Sequence, residues 1–307
     1  MIEEARGERS DAEAGPKGSG HGSEADEVTP KRGVLSKYLR AKVRHFLLTV
    51  TADRMTRGGL SRRHRAQNVE TRELELRIPR WPTQFDGLRI AHISDFHVGH
   101  LMTSERAIDV VNTVRDLKPD LVACTGDVVD LGLECGVDGV LAALGAVGAP
   151  LGSLLVLGNH DHLDNGRKLV RMAKAAGVQT LVDESVTLTC GLRVGGIDWG
   201  KSIRECSTRV GRVWRGAGGV DLLLAHNPKA FVGAARLGVP LTLSGHTHGG
   251  QVSLRKRSND ISFRRRLRAG LYRRDDSILF VTVGLGAWFP LRVNCPPEVV
   301  VLTARSE

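Results

Sequence analysis

The chain contains 307 residues, of which 41% are hydrophobic and 25% charged, a composition typical of a globular protein. Its five cysteines are odd in number and scattered, so we expect no disulfide framework and a reducing, cytoplasmic location. No apolar run approaches the roughly 18 residues of a transmembrane helix, and no signal peptide is evident. The net charge of +10 favours anionic partners, namely phosphates, nucleic acid or an acidic membrane surface, without choosing among them.

Two segments precede the first predicted strand. Residues 1–32 hold eight acidic and five basic residues without a periodic apolar pattern, which predicts a disordered acidic tail. Residues 33–70 are basic and have apolar residues at helical spacing, which predicts an amphipathic helical segment and a linker. The apolar stripe consists of Leu35, Leu39, Val43, Phe46, Leu47 and Val50. Two interpretations stay open: residues 35–50 bind an anionic membrane surface, or the stripe packs on the protein body. Lys42 within the stripe weighs against the membrane.

Short apolar runs that end in polar or small residues follow, and they indicate largely buried strands. These runs are 88–94, 120–125, 153–157, 192–197, 221–225, 241–244, 278–283 and 298–302. Helical stretches lie between several of them: one is capped by Ser104 and runs through Leu117, one spans 167–176, and one opens at Asn227. Strands that alternate with helices predict an α/β sandwich over residues 71–307.

Five successive predicted strands or strand equivalents end in residues that can bind a metal ion. These residues are Asp95 and His97, Asp127, Asn159 to Asp161, His226, and His246 and His248. Each group alone has an ordinary explanation as a strand-end cap, a turn or a satisfied histidine. Ligands bind at the carboxyl edge of open α/β sheets. If no metal site existed, five separate strands would have to end in metal-binding residue types at this edge by chance. The conjunction therefore predicts a metal centre.

This set resembles the signature of the calcineurin-like metallophosphoesterases, D-x-H … GD … GNH[D/E] … H … GHxH. The signature is matched by Asp95/His97, Gly126/Asp127, Gly158–Asp161, His226 and Gly245–His248. The resemblance covers about residues 83 to 303 and implies two mixed β-sheets in a sandwich flanked by helices. Further phrases, among them Gly245–Gln251, are similar to a bacterial branch of membrane-associated phosphohydrolases that includes UDP-2,3-diacylglucosamine pyrophosphatases.

The resemblance also implies a role for each matched residue. One metal would be held by Asp95, His97 and His248, the other by Asn159, His226 and His246, with Asp127 as the bridge. His160 would stay outside the ligand set as the general acid or base, and Asp161 would orient its ring. Oxygen and imidazole ligands without thiolate indicate two divalent ions of Mn, Fe, Zn or Co. The pattern specifies neither the metal nor the oligomeric state.

A basic stretch follows the histidine motif. Residues 255–274 contain nine Lys or Arg residues and one acidic residue, Asp260. Arg264, Arg265 and Arg266 are candidates for binding the substrate phosphate or an anionic bilayer, and a solvated loop is the alternative. Only Phe263 and Tyr272 could stack on bases, so nucleic acid is not the expected partner.

The expected function is hydrolysis of a phosphoester or pyrophosphate bond by a binuclear metal centre and a metal-activated hydroxide, with a phosphate-bearing substrate. The branch favours a nucleotide-linked or lipid-linked substrate, and peripheral attachment to a membrane. Two alternatives are a non-catalytic scaffold of the same fold and a cyclic-nucleotide or nucleic-acid phosphodiesterase. The full ligand set together with His160 argues against the scaffold.

Overall fold

The computed structural model describes residues 32–133, 136–252 and 267–307. In these residues, eight α-helices lie at Arg32–His45 (α1), Thr51–Met55 (α2), Gly59–Arg65 (α3), Ser104–Asp116 (α4), Val137–Gly145 (α5), Gly166–Ala175 (α6), Ile203–Gly216 (α7) and Phe231–Arg236 (α8). Twelve strands of the same residues are Glu70–Ile78 (β1), Leu88–Ile93 (β2), Leu121–Cys124 (β3), Ser153–Leu155 (β4), Gln179–Thr180 (β5), Glu184–Thr187 (β6), Arg193–Ile197 (β7), Leu222–Ala225 (β8), Leu241–Ser244 (β9), Gly270–Arg274 (β10), Ser277–Val281 (β11) and Glu298–Ser306 (β12).

The strands form two mixed sheets of six strands each. The first has the order β1-β12-β2-β3-β4-β5, in which only β12 and β2 run antiparallel to each other. The second has the order β10-β11-β9-β8-β7-β6, with antiparallel pairs at its two ends. The central strands of both sheets are parallel, so their carboxyl ends meet at one edge of each sheet.

Side chains of the central strands alternate between two hydrophobic cores, one between the two sheets and one between a sheet and its helices. In β8, Leu222 and Leu224 pack in a cluster that joins the two sheets, whereas Leu223 packs against α7 and α8. In β2, Ile90 belongs to the cluster between the sheets, whereas Ile93 packs against α4, α5 and α6. Successive strand residues point to opposite faces, so one strand serves both layers. The predicted fold of two mixed sheets flanked by helices is confirmed.

All eight predicted apolar runs contain a strand, but the pattern of apolar runs did not predict two long elements, strand β1 and helix α7. Strand β1 alternates charged with apolar residues and is buried only at Leu74, Leu76 and Ile78, because one of its faces is open to solvent. Helix α7 carries four arginines on its exposed side, which obscured its buried positions in the sequence. Each of these elements buries only one face, so its apolar residues are separated by polar ones. A search for short continuous apolar runs therefore does not find them.

The described segment before the first strand is helical. Helix α1 continues through a π-helical turn, Phe46–Val50, into α2, and α3 follows. The predicted acidic tail lies outside the described residues except for Arg32. None of the helices in the described part of the chain is long and apolar enough to cross a membrane.

The loop after β11 approaches the end of β2 so closely that a side chain would not fit. The amide of Gly286 donates to the carbonyl oxygen of Asp95 at 2.6 Å. A Cβ at Gly286 would lie 1.9 Å from the carbonyl oxygen of Phe96. Backbone atoms cannot rotate aside as a flexible side chain can, so any added atom would separate the two loops. This contact fixes the backbone at Asp95, the first candidate metal ligand.

We expect Gly286→Ala to lower the free energy of unfolding by about 1–3 kcal/mol, the usual cost of an overpacked contact. The matched control is Gly216→Ala at the end of α7, where an added Cβ meets nothing within 4 Å. Urea unfolding of both variants and the parent protein measures the difference. Equal stability of all three proteins would contradict the close approach.

Candidate metal centre

The predicted metal ligands meet where loops from the two sheets converge. The loops after β2, β3, β4, β8 and β9 carry, in that order, Asp95 and His97, Asp127, Asn159, His226, and His246 and His248. In the described part of the chain, three groups of His and Asp residues have ligand atoms within 4.8 Å of one another. These groups are Asp95, His97 and His248; His97, Asp127 and His160; and Asp127, His226 and His246.

The first group has the spacing of ligands around one cation. Nε2 of His248 lies 3.3 Å from Oδ1 of Asp95 and 3.1 Å from Nε2 of His97. Oδ2 of Asp127 lies 3.6 Å from Nε2 of His97. Ligand atoms at about 2.1 Å from a divalent ion are themselves about 3 Å or more apart, so these donors fit such an ion.

A buried atom that lacks a partner lies beside the third group. Oδ1 of Asn159, in the loop after β4, is buried and makes no hydrogen bond within the described residues. A buried polar atom left unpaired costs about 1–3 kcal/mol, so such atoms are rare outside functional sites. Nε2 of His226 is 3.1 Å from Oδ2 of Asp127. The ligand atoms of Asp127, His226 and His246 lie within 4.8 Å of one another, and this carboxylate and these imidazoles fit a second divalent cation.

The backbone is strained at these ligands. Asp95, His97, Asp127, His246 and His248 all have left-handed conformations, with φ between 48° and 71°. Residues other than glycine adopt such values in only a few per cent of cases, because Cβ crowds the carbonyl oxygen. Strain of this kind persists where surrounding contacts impose it, and it clusters at functional sites.

Hydrogen bonds fix the direction in which the candidate ligands point. Ser94 Oγ donates to Oδ2 of Asp95 at 2.6 Å. The amide of His160 donates to Oδ1 of Asp127 at 2.7 Å. Nδ1 of His226 lies 2.7 Å from the carbonyl oxygen of Thr125, which makes Nδ1 the protonated nitrogen and leaves Nε2 free to bind a metal.

Asp161 does not orient the ring of His160, and that expectation is corrected. Its carboxylate accepts hydrogen bonds from the backbone amides of Asp127, Val128, Val129 and Gly158, at 2.8 to 3.2 Å. It therefore ties the two loops after β3 and β4 together.

The ring of His160 is instead held by Asp130. Nδ1 of His160 lies 2.5 Å from the carbonyl oxygen of Asp130 and 3.6 Å from its Oδ1. The same carboxylate is 3.7 Å from Nδ1 of His97 and 3.3 Å from Nδ1 of His45. Asp130 is buried, and the sequence pattern did not single it out. The indication was a carboxylate inside the apolar run after β3, three residues beyond Asp127.

The buried charges compensate one another. Burial alone would raise the pKa of the Asp127 carboxyl, but His226, His160 and His97 hold it well below its usual range. Burial opposes charge on His226, yet Asp127 raises the pKa of this imidazole to about 9. Burial and the neighbouring His97 lower the pKa of His160, despite the nearby carboxylates, so its ring is neutral at pH 7 and able to accept a proton.

Three further residues lie at the centre without having been predicted. The indole of Trp199 is 4.7 Å from the ring of His246, measured between centroids. Buried Arg292 places Nη2 3.2 Å from Nδ1 of His248 and donates to the carbonyl oxygen of Val283. Arg44 of α1 reaches His160 from the opposite side. The predicted substrate-binding residues Arg264, Arg265 and Arg266 lie outside the described residues.

Comparison with known proteins gives a consistent assignment. Residues 88–250 match the model of the calcineurin-like phosphoesterase family. The uncharacterized metallophosphoesterase YkuE of Bacillus subtilis (strain 168) is 30% identical over 78% of this chain and 86% of its own length. The phosphodiesterase YaeI of Escherichia coli (strain K12) is 24% identical over 84% and 97%, respectively. A solved 5′-nucleotidase precursor from Thermus thermophilus aligns over 70% of this chain and 54% of its own, at 16% identity and a TM-score of 0.41, too low to inform function. The chain therefore belongs to the calcineurin-like phosphoesterase family.

Proposed function

We propose that the chain is a phosphoester hydrolase that uses two divalent cations. The main observation in support is the position of Asp127, whose Oδ2 is 3.6 Å from Nε2 of His97 and 3.1 Å from Nε2 of His226. These two histidines belong to different ligand groups. A carboxylate between two groups suits a pair of close cations, because its charge offsets their repulsion. Membership of the family supports the same reaction class.

The proposed ligands of one cation are Asp95, His97 and His248, and those of the other are Asn159, His226 and His246, with Asp127 shared. When bound, two such cations would neutralise phosphoryl oxygens and lower the pKa of a water between them. His160 lies close to His97 and Asp127, but Asp130 occupies its Nδ1 and leaves Nε2 for the substrate. The neutral ring carries its proton on Nδ1, so at Nε2 His160 would first accept a proton from water and then pass it to the leaving oxygen.

The proposed substrate is a nucleotide-linked or lipid-linked phosphoester or pyrophosphate. The name of the relative YaeI supports a phosphodiester, and the net charge of +10 favours an anionic ligand. A cyclic-nucleotide or nucleic-acid phosphodiesterase is the alternative, and a panel of mono-, di- and pyrophosphate esters with Mn supplied separates the two. A non-catalytic scaffold would hydrolyse none of them.

Replacing the shared carboxylate tests the two-cation proposal. We expect Asp127→Asn to abolish turnover and to lower the content of both metals, because the amide lacks the charge that lets two cations lie close together. Elemental analysis of purified protein measures the metals. The control is Asp116→Asn on α4, whose side chain is 75% exposed. An Asp127→Asn protein with two metals and a normal rate would overturn the shared role.

The role of His160 is tested by separating metal binding from chemistry. We expect His160→Ala to keep its metals while kcat falls by roughly 10²–10⁴, the usual effect of losing a general acid or base. The loss should shrink for nitrophenyl esters, whose leaving group needs less protonation. His100→Ala is the matched control, since this ring contacts Asp53 and Ser61 instead of the ligand groups. A collapse of metal content in His160→Ala would make His160 a ligand.

We also propose that residues 35–50 attach the protein to an anionic membrane surface. The stripe residues Leu39, Val43, Phe46 and Leu47 are 60, 50, 51 and 58% exposed. Their exposure supports contact with a membrane over packing of these four side chains on the described body of the protein. Each nearby Lys or Arg adds about 1 kcal/mol of attraction to an anionic bilayer, and the stripe adds apolar burial.

We expect replacement of Leu39, Val43, Phe46 and Leu47 by Ser to reduce sedimentation with phosphatidylserine liposomes, while hydrolysis of a small soluble ester is retained. The control is Ile203→Ser, which removes an exposed apolar side chain from α7. Raising salt from about 0.05 to about 0.5 M should weaken binding of the parent protein, since the Debye length falls from about 14 to about 4 Å. If the parent protein does not sediment with these liposomes at low salt, the membrane proposal is wrong.

A further inference from the structure

The inner face of the first helix is fixed to the rim of the metal centre. Thr49 is fully buried, and its Oγ1 donates to the carbonyl oxygen of Trp288 at 3.1 Å. One turn earlier, Nδ1 of His45 lies 3.3 Å from Oδ2 of Asp130, the residue that holds His160. Ala41 is also buried, so positions 41, 45 and 49 form one face at helical spacing. The helix is thus held in place on either side of Arg44.

Arg44 extends from this face to the candidate acid–base group. Its Nη2 lies 3.4 Å from Nε2 of His160, the ring nitrogen that is not directed at Asp130. Its guanidinium carbon is 5.7 Å from the centre of the Trp288 ring, which supports the side chain from the other side. No carboxylate of the described residues lies within ion-pair distance of Arg44, and its side chain remains exposed. A guanidinium so placed has its charge and most of its donors available to a ligand.

We propose that Arg44 binds a non-bridging oxygen of the substrate's phosphoryl group. The inference rests on the proposed function, because it assumes that a phosphoryl group lies between the metal ligands and His160. An oxygen that contacts Nε2 of His160 lies within reach of Arg44, since the two nitrogens are only 3.4 Å apart. The planar fork of a guanidinium matches two oxygens of a phosphate, and the three ligand groups themselves consist of His and Asp side chains.

Phosphate binding and hydrolysis are measured separately on the full chain reconstituted with Mn. Titration calorimetry with inorganic phosphate gives the Kd, and bis(p-nitrophenyl) phosphate gives KM and kcat. We expect Arg44→Ala to weaken phosphate binding by about 10- to 100-fold, the range for a lost charge-assisted hydrogen bond, and to raise KM. Arg44→Lys should recover part of the affinity, because it keeps the charge and loses the fork.

The matched control is Lys42→Ala, which removes a positive charge from the same helix at a side chain that lies over the ring of Tyr38. We expect its Kd for phosphate to equal that of the parent. If Arg44→Ala also binds phosphate like the parent, with an unchanged melting temperature and metal content, Arg44 only anchors the helix and the proposal is overturned. A parent that binds phosphate but hydrolyses no ester would instead overturn the proposed function and leave the calorimetric result on Arg44 valid.

Discussion

The carboxylate of Asp127 is the point on which the candidate centre depends. It is buried between imidazoles that come from the first sheet, His97, and from the second, His226. An ionised carboxylate out of water is costly unless opposite charges or donors surround it. Here the amide of His160 and the histidines supply that compensation, and bound cations would supply more. The centre therefore forms only where both sheets are packed together.

Because loops from both sheets converge on the candidate centre, their backbones can adopt few conformations there. Loops from two sheets reach one point only if they nearly touch, and glycine is needed where they cross. A Cβ at Gly245 would lie 2.2 Å from Oδ2 of Asp95, and one at Gly126 would lie 2.5 Å from the amide nitrogen of Gly158. The left-handed conformations of the ligands have the same origin, since each loop must turn sharply to aim a side chain inward. Asp161 stabilises this arrangement by accepting four backbone hydrogen bonds.

The meeting of the candidate ligands was predictable from sequence because they follow strands directly, and the carboxyl ends of parallel strands are brought together by the sheet itself. The same apolar runs indicated an α/β sandwich, and the family resemblance implied its two mixed sheets. The residues that contact His160 were not predictable, because they are far from it in the sequence. Asp130 contacts His160 from 30 positions away, and Arg44 contacts it from 116. No periodicity links such pairs. The family resemblance implied that Asp161 orients the ring of His160, whereas its carboxylate accepts backbone hydrogen bonds that no sequence pattern indicates.

The same limitation applied to the first helix. Its pattern shows that one face is apolar, yet apolar residues usually indicate the face that packs inward. In this protein the polar face packs inward, through His45 and Thr49, because the surface it meets is the polar rim of a metal centre. The apolar residues are left outside. An amphipathic helix therefore needs the chemistry of its neighbour, besides its own periodicity, before its orientation can be assigned.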